Sequence, residues 1–348
     1  MDLSVQADTV IEELLESACS SIRYRIRSEI LGQSAQATEM IGLQELLLQD
    51  PDIQEVLSWQ QPDGWLAWDF RGSKSIETDI RILSEKGLSR HYLPLARALQ
   101  ALEDYPDRLD RGIGKPGRLL DELGFGGSQL IRATVCAYAG LEEKLFVQEQ
   151  VTEALAGFKA VLEVGSISEI VQEYRGRLIF KLGLRWPGIY HLRLLACTRK
   201  WQTAENQAIL VTTVRRLVSL SPLPDIYVRS MYRWLAAASF CMHNFIPDMQ
   251  TMEDAEWMLW FHRMECLSHL GVIQAVPELK RQVERLAGAL AAEEGWFKRK
   301  LNHPYFIRWD AYTDLRLEVD WRHPKCRVYD LTFRSMLILH YYESGPVE

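Results

Sequence analysis

The sequence predicts an all-α fold, either an α/α toroid of repeated helical hairpins or an open α-solenoid. Three observations predict it. Apolar residues recur at spacings of three and four over most of the 348 residues, the period of a helix with one buried face. Strand signals are sparse, with no Asn-Gly or Asp-Gly turn between alternating apolar runs. A short apolar helix with an arginine at its centre occurs five times, and a more amphipathic helix follows each copy except the one that ends the chain, the pattern of stacked hairpins.

In chain order, "ADTVIEELLESACSSIRYRIRSEIL" places Val10, Ile11, Leu14, Leu15, Ala18 and Ile22 on one helical stripe. "TEMIGLQELLLQDPDIQEVLSW" continues helically, with Pro51 breaking the helix or opening a new turn. Residues 1–60 are read as an N-terminal helical extension packed on a repeat domain of residues 61–348. The arginine helices are "TDIRILSEKG" (Arg81), "QLIRATVCAYAG" (Arg132), "YHLRLLACTRKW" (Arg193), "WFHRMECLSHLG" (Arg263) and "LTFRSMLILHYY" (Arg334). Short and apolar on most sides, they suit an inner ring; "VQEQVTEALAGFKAVLE" and "PELKRQVERLAGALAAEE" suit an outer one. "TMED" (251–254) and "SISE" (166–169) match the capping box, and "EKG", "YAG" and "HLG" stand where helices stop. "PDIYVRSMYRWLAAASF" reads as a further helix, and "LDRGIGKPGRLLDELGFGG" as a Gly-rich connector without a phosphate-loop spacing. "RLEVDW" alternates, but alone.

Composition narrows the function classes. The chain is 47% hydrophobic and 25% charged, with a net charge of -7 and its acids and bases interspersed. Without a basic face, nucleic acid is not an expected partner. The six cysteines are scattered through apolar helices without a C-x-x-C pair, as buried thiols of a reducing compartment are. "MDLSVQADTV" lacks the basic and apolar regions of a signal peptide, and no apolar run is long enough to span a membrane, so the expectation is a soluble cytoplasmic protein. His243, His262, His269 and His340 have no metal-ligand spacing, no nucleophile signature is present, and neither metal nor cofactor is expected.

The stretch "QQPDGWLAWDF" carries a resemblance. Gln61, Asp63, Gly64 and Trp65 ahead of a short helix are similar to the repeat of the terpenoid-cyclase and protein-prenyltransferase superfamily, and "EEGWF" (293–297) follows the same pattern loosely. The resemblance implies an α/α toroid with a central cavity, and a prenyl-diphosphate-like ligand. The chain lacks that superfamily's D-x-D-D acid, its aspartate-rich magnesium motif and its zinc-ligand spacing, so the resemblance implies the shape more than the reaction.

If the inner helices converge, Arg81, Arg132, Arg193, Arg263 and Arg334 ring one axis and need anions, since buried like charges are costly. Glu77 and Asp330 stand one turn before Arg81 and Arg334, the favourable order for a helical ion pair. The other three have no local acid. The ring therefore reads either as structural ion pairs or as an anion site for phosphate, diphosphate or carboxylate. Trp65, Trp68 and Trp260 are candidate aromatic walls, and Asp330, Glu77, His191 and Tyr190 candidate acid–base groups. Three functions fit: a toroid binding an anionic small molecule, a non-catalytic scaffold for a protein partner, or a lyase or hydrolase acting on uronates.

Overall fold

In the computed structural model the described residues are 3–345, except 231–232 and 237–239. The fold is mostly helical, in line with the all-α expectation, with a four-stranded sheet added. The N-terminal part holds α1 (Leu3–Ser17), α2 (Ser20–Arg25, running on as the π turn Ile26–Ile30), α3 (Thr38–Leu47) and α4 (Pro51–Ser58). Pro51 opens α4, and Asp50 Oδ1 caps it by accepting from the Asp52 and Ile53 amides at 2.9 and 3.3 Å. Then follow α5 (Ile76–Glu85), α6 (Leu93–Asp104), α7 (Lys115–Glu122), α8 (Ser128–Tyr138), α9 (Leu145–Ala160) and α10 (Ile167–Ile170). Strands β1 (Val171–Tyr174) and β2 (Arg177–Phe180) precede α11 (Ile189–Ala196) and α12 (Ala204–Leu220). After β3 (Ile226–Ser230) and β4 (Arg233–Leu235) come α13 (Asp254–His269), α14 (Pro277–Ala292) and α15 (Pro324–Ser344).

The five arginine-bearing helices α5, α8, α11, α13 and α15 pack against one another in chain order, and α15 returns to the π turn after α2. Around them, α6 lies on α5, α9 bridges α8 and α11, α12 lies on α9 and α14 on α15. One apolar cluster runs through these helices from Leu47 to Ile338. A second joins Val10, Leu14, Ile22 and Ile26 to Leu317, Tyr329, Phe333 and Leu337, seating α1 and α2 on α15.

Several local expectations are corrected. "PDIYVRSMYRWLAAASF" is not a helix. Its first part is β3, with Ile226 and Val228 buried and Arg229 exposed, the two-residue period of a strand. It pairs parallel to β2, which itself forms a hairpin with β1, and the sheet order is β1-β2-β3-β4. The Gly-rich connector contains α7. Helix α13 starts at Asp254, not at Thr251, and Glu253 is its cap, its amide donating to Glu256 Oε2 at 2.9 Å. "RLEVDW" forms no strand: it begins inside a segment outside helix and strand, residues 309–317, that threads between the central helices.

Candidate functional site

The threaded segment explains the arginines. Ala311, Thr313, Asp314 and Leu315 turn their carbonyls towards the helices, and guanidiniums take the place of a neighbouring strand. Arg193 Nη1 donates to Ala311 O at 2.7 Å, and Arg81 Nη2 to Thr313 O and, at 3.2 Å, to Asp314 O. Arg334 gives Nη2 to Leu315 O at 2.9 Å. Lys86, fully buried, donates to Leu317 O at 3.0 Å and pairs with Asp50 at 2.7 Å. A buried backbone needs partners for every carbonyl, and here cationic side chains supply them.

The expected ring is thus partial. Arg81, Arg193 and Arg334 converge on residues 311–315. Arg132 instead lies over the Phe146 ring at 4.2 Å, and Arg263 over Phe245, with Nη1 donating to Cys241 O at 2.9 Å. Burial pushes the Arg263 guanidinium down to about 10. The two helical ion pairs are also corrected. Arg334 pairs with Glu265 at 2.9 Å and Glu85 at 3.0 Å rather than with Asp330. Asp330 accepts from the Leu317 and Glu318 amides at 2.9 and 3.0 Å and from Trp321 Nε1, fastening the end of the threaded segment; burial raises its pKa. Glu77 turns from Arg81 to Tyr190, whose hydroxyl donates to Glu77 Oε1, and Arg71 stands 4.0 Å from Glu77 Oε2.

Trp65, Trp68 and Trp260, the expected aromatic walls, line none of the cavities described below. Trp65 is buried beneath Arg108, which pairs with Asp63. Trp68 is 66% exposed under Arg111, and Trp260 is buried with Nε1 donating to Gln282 at 2.7 Å. The Gln-Asp-Gly-Trp turn is a fastening: the Gln60 side chain donates to Gly64 O and Pro94 O, and that of Gln61 to Ala67 O. Gly64 has φ +92, and a Cβ there would stand 2.8 Å from Arg97 O.

Two cavities lie at opposite ends of the central helices. At the end where α8 and α11 begin, about 270 Å³ is walled by Tyr190, Tyr312, Phe240 and Trp234, with Arg71 and His191 on its lining. Phe240 stacks on Tyr312 at 3.8 Å, and the Arg71 guanidinium lies 4.6 and 5.0 Å from the Tyr312 and Tyr190 ring centres. Burial raises the pKa of Glu77 despite Arg71 and Tyr190, and that of Tyr190 as well, so the pair holds its proton in a poorly solvated place. His191 is fixed as an acceptor, with Nδ1 taking the Gly188 amide at 3.0 Å, and burial pushes its pKa down to about 4. Tyr190, His191 and Glu77 are therefore brought together, while Asp330 belongs elsewhere.

At the other end, where α5, α8, α11 and α13 finish, about 240 Å³ is lined by Glu85, Tyr138, Arg193, Glu265 and His269 among others. Arg25 of α2 enters here, donating to Glu29, Glu85 and Glu265. A larger hollow of about 440 Å³ beside β2 and β3 is walled mainly by Phe180, Leu182, Leu184 and Val228. Arg71, Tyr312, Trp234, Arg25, Glu85 and Glu265 were missed in the sequence. Arg71, at the foot of "DFRGS", carried the one usable signal, a cation just ahead of an inner helix.

No family model, curated protein or solved structure matches the chain. Among the described residues no His, Cys, Asp and Glu group could hold a metal ion, and no helix is long and apolar enough to cross a membrane.

Proposed function

We propose that the chain is an α/α toroid that binds a small molecule with an apolar body and an anionic end, of the prenyl-diphosphate kind, in the aromatic cavity. The arginine level between the helices is not the site in this reading, because its cations are taken by the threaded segment. The observation that carries the proposal is Arg71. Among the described residues its guanidinium donates no hydrogen bond, it stands 4.0 Å from its nearest carboxylate, and it faces a cavity walled by four aromatic rings. A planar donor fork with unused N–H groups suits a phosphate or carboxylate, and the rings suit an apolar chain. The Glu77–Tyr190 pair is the acid–base group of this reading, able to hold or hand over one proton beside the ligand.

A second reading, a non-catalytic scaffold for a protein partner, draws on the hydrogen bonds by which Arg81, Arg193 and Arg334 hold the threaded segment in the centre. Melting temperatures separate the two. Inorganic diphosphate, geranyl and farnesyl diphosphate and uronate oligosaccharides are added to the native protein and to Arg71→Gln. A ligand at 100 times its Kd stabilises by about 2.7 kcal/mol, a rise of a few degrees. A rise with the prenyl diphosphates that Arg71→Gln abolishes is expected. No rise with any probe, or one that Arg71→Gln leaves intact, overturns the reading and leaves the scaffold.

A further inference from the structure

The polar cavity holds a set of groups that the aromatic site does not use. Arg193 Nη2, Tyr138 OH and Ser84 Oγ all line it, all are buried, and none has a hydrogen-bond partner among the described residues. Arg193 is 2% exposed, so its free N–H is committed to the interior and held there by the Ala311 carbonyl and by His262 Nε2 at 2.8 Å. Leaving three buried donors unmade is costly, and their convergence on one hollow points to an acceptor that fills it.

The same lining also carries acids. Glu29, Glu85 and Glu265 line the cavity, and their cationic partners there are Arg25 and Arg334. These three carboxylates share two guanidiniums at ion-pair distance, and Arg193 is the further cation of the lining. The carboxyl ends of α5, α8, α11 and α13 meet at this cavity, and their dipoles favour positive charge. His262 and His269 supply no further cation, because burial pushes both imidazoles below their usual range.

We propose that this cavity binds a small zwitterion of the amino-acid class. Its carboxylate accepts from Arg193, Tyr138 and Ser84, and its ammonium faces Glu29, Glu85 and Glu265. The cavity of about 240 Å³ suits a molecule of that size rather than a longer one. The site is independent of the aromatic cavity and stands whether or not prenyl diphosphates bind there.

The test uses variants that cannot harm the apo fold through lost bonds. Tyr138→Phe and Ser84→Ala delete hydroxyls that have no partner, so without ligand each melts at or above the native temperature. Free L-amino acids are titrated into the native protein, with short alkylamines and short carboxylates as single-charge controls. The expected result is binding of one or a few amino acids, each bound at least about tenfold more tightly than either control and weakened about tenfold in each variant. No amino acid binding at millimolar concentration overturns the proposal. So does binding that both variants leave unchanged, and so does an amine or carboxylate alone binding as well as the zwitterion. Arg71→Gln removes the prenyl-diphosphate response and Tyr138→Phe weakens the zwitterion response alone, so failure of one site is distinguishable from failure of the other.

Discussion

Arg81 sits between Ile80 and Ile82 because its helix is buried on every side, 3% exposed at the arginine itself, and a backbone segment runs past it. A charge-assisted hydrogen bond to a carbonyl contributes roughly 1.5–3 kcal/mol, enough to offset much of the cost of burying a guanidinium. Asp79, two residues earlier, has no such relief. It is fully buried, and neither carboxyl oxygen has a hydrogen-bond partner among the described residues. Burial raises its pKa well above the usual value, with Lys74 opposing weakly. A carboxyl whose folded pKa is raised is harmless below its unfolded pKa of about 4 and destabilises the fold as the pH rises above that. Asp79→Asn should therefore stabilise the protein by roughly 1–3 kcal/mol at pH 7, with the gain shrinking towards pH 4. Urea unfolding of both proteins at the two pH values checks the sign. A gain that is equal at both would remove the ionisation as its cause.

At the scale of elements, turns and caps were the legible part. Pro51 opening α4 and the glycines closing the inner helices act locally, so the sequence carries them directly. Strand β3 did not show, because its partner β2 lies far back in the chain and pairing with it overrides the local helical reading of "YVRSMYRWL". The junction of α7 and α8 depends on a contact that local reading also misses. Gly127 opens α8 with its amide donating to Asp121 Oδ1 at 2.7 Å, and a Cβ there would stand 1.7 Å from Gly117 O. Gly127→Ala must move backbone against backbone, and a loss of about 1–3 kcal/mol in chemical denaturation is expected, the range of an overpacked site. Because α8 carries Tyr138 and Ile131 to the two cavities, the variant should also weaken both ligand responses.

Across the whole molecule, one apolar cluster from Leu47 to Ile338 and the Arg25–Glu85–Glu265–Arg334 network tie the first inner helices to the last. Elements coupled this way lose their partners together. Urea unfolding followed by far-UV circular dichroism and by tryptophan fluorescence should give coincident transitions, since Trp65, Trp186 and Trp260 are buried in that same cluster. Separated midpoints would mean that the cluster is energetically divided.

The sequence by itself determined the mainly helical class and where several helices open and close, because periodicity and caps are written within a few residues of where they act. The tertiary structure alone decided which way each arginine faces. Helices apolar on all sides carry no local mark of their rotation, so Arg132 and Arg263 look like Arg81 and Arg193 until their neighbours are in place. It also decided the fate of residues 309–317, whose passage through the centre follows from the cations that meet its carbonyls. The cavities that remain on either side are what packing left open, and no stretch of sequence records a space.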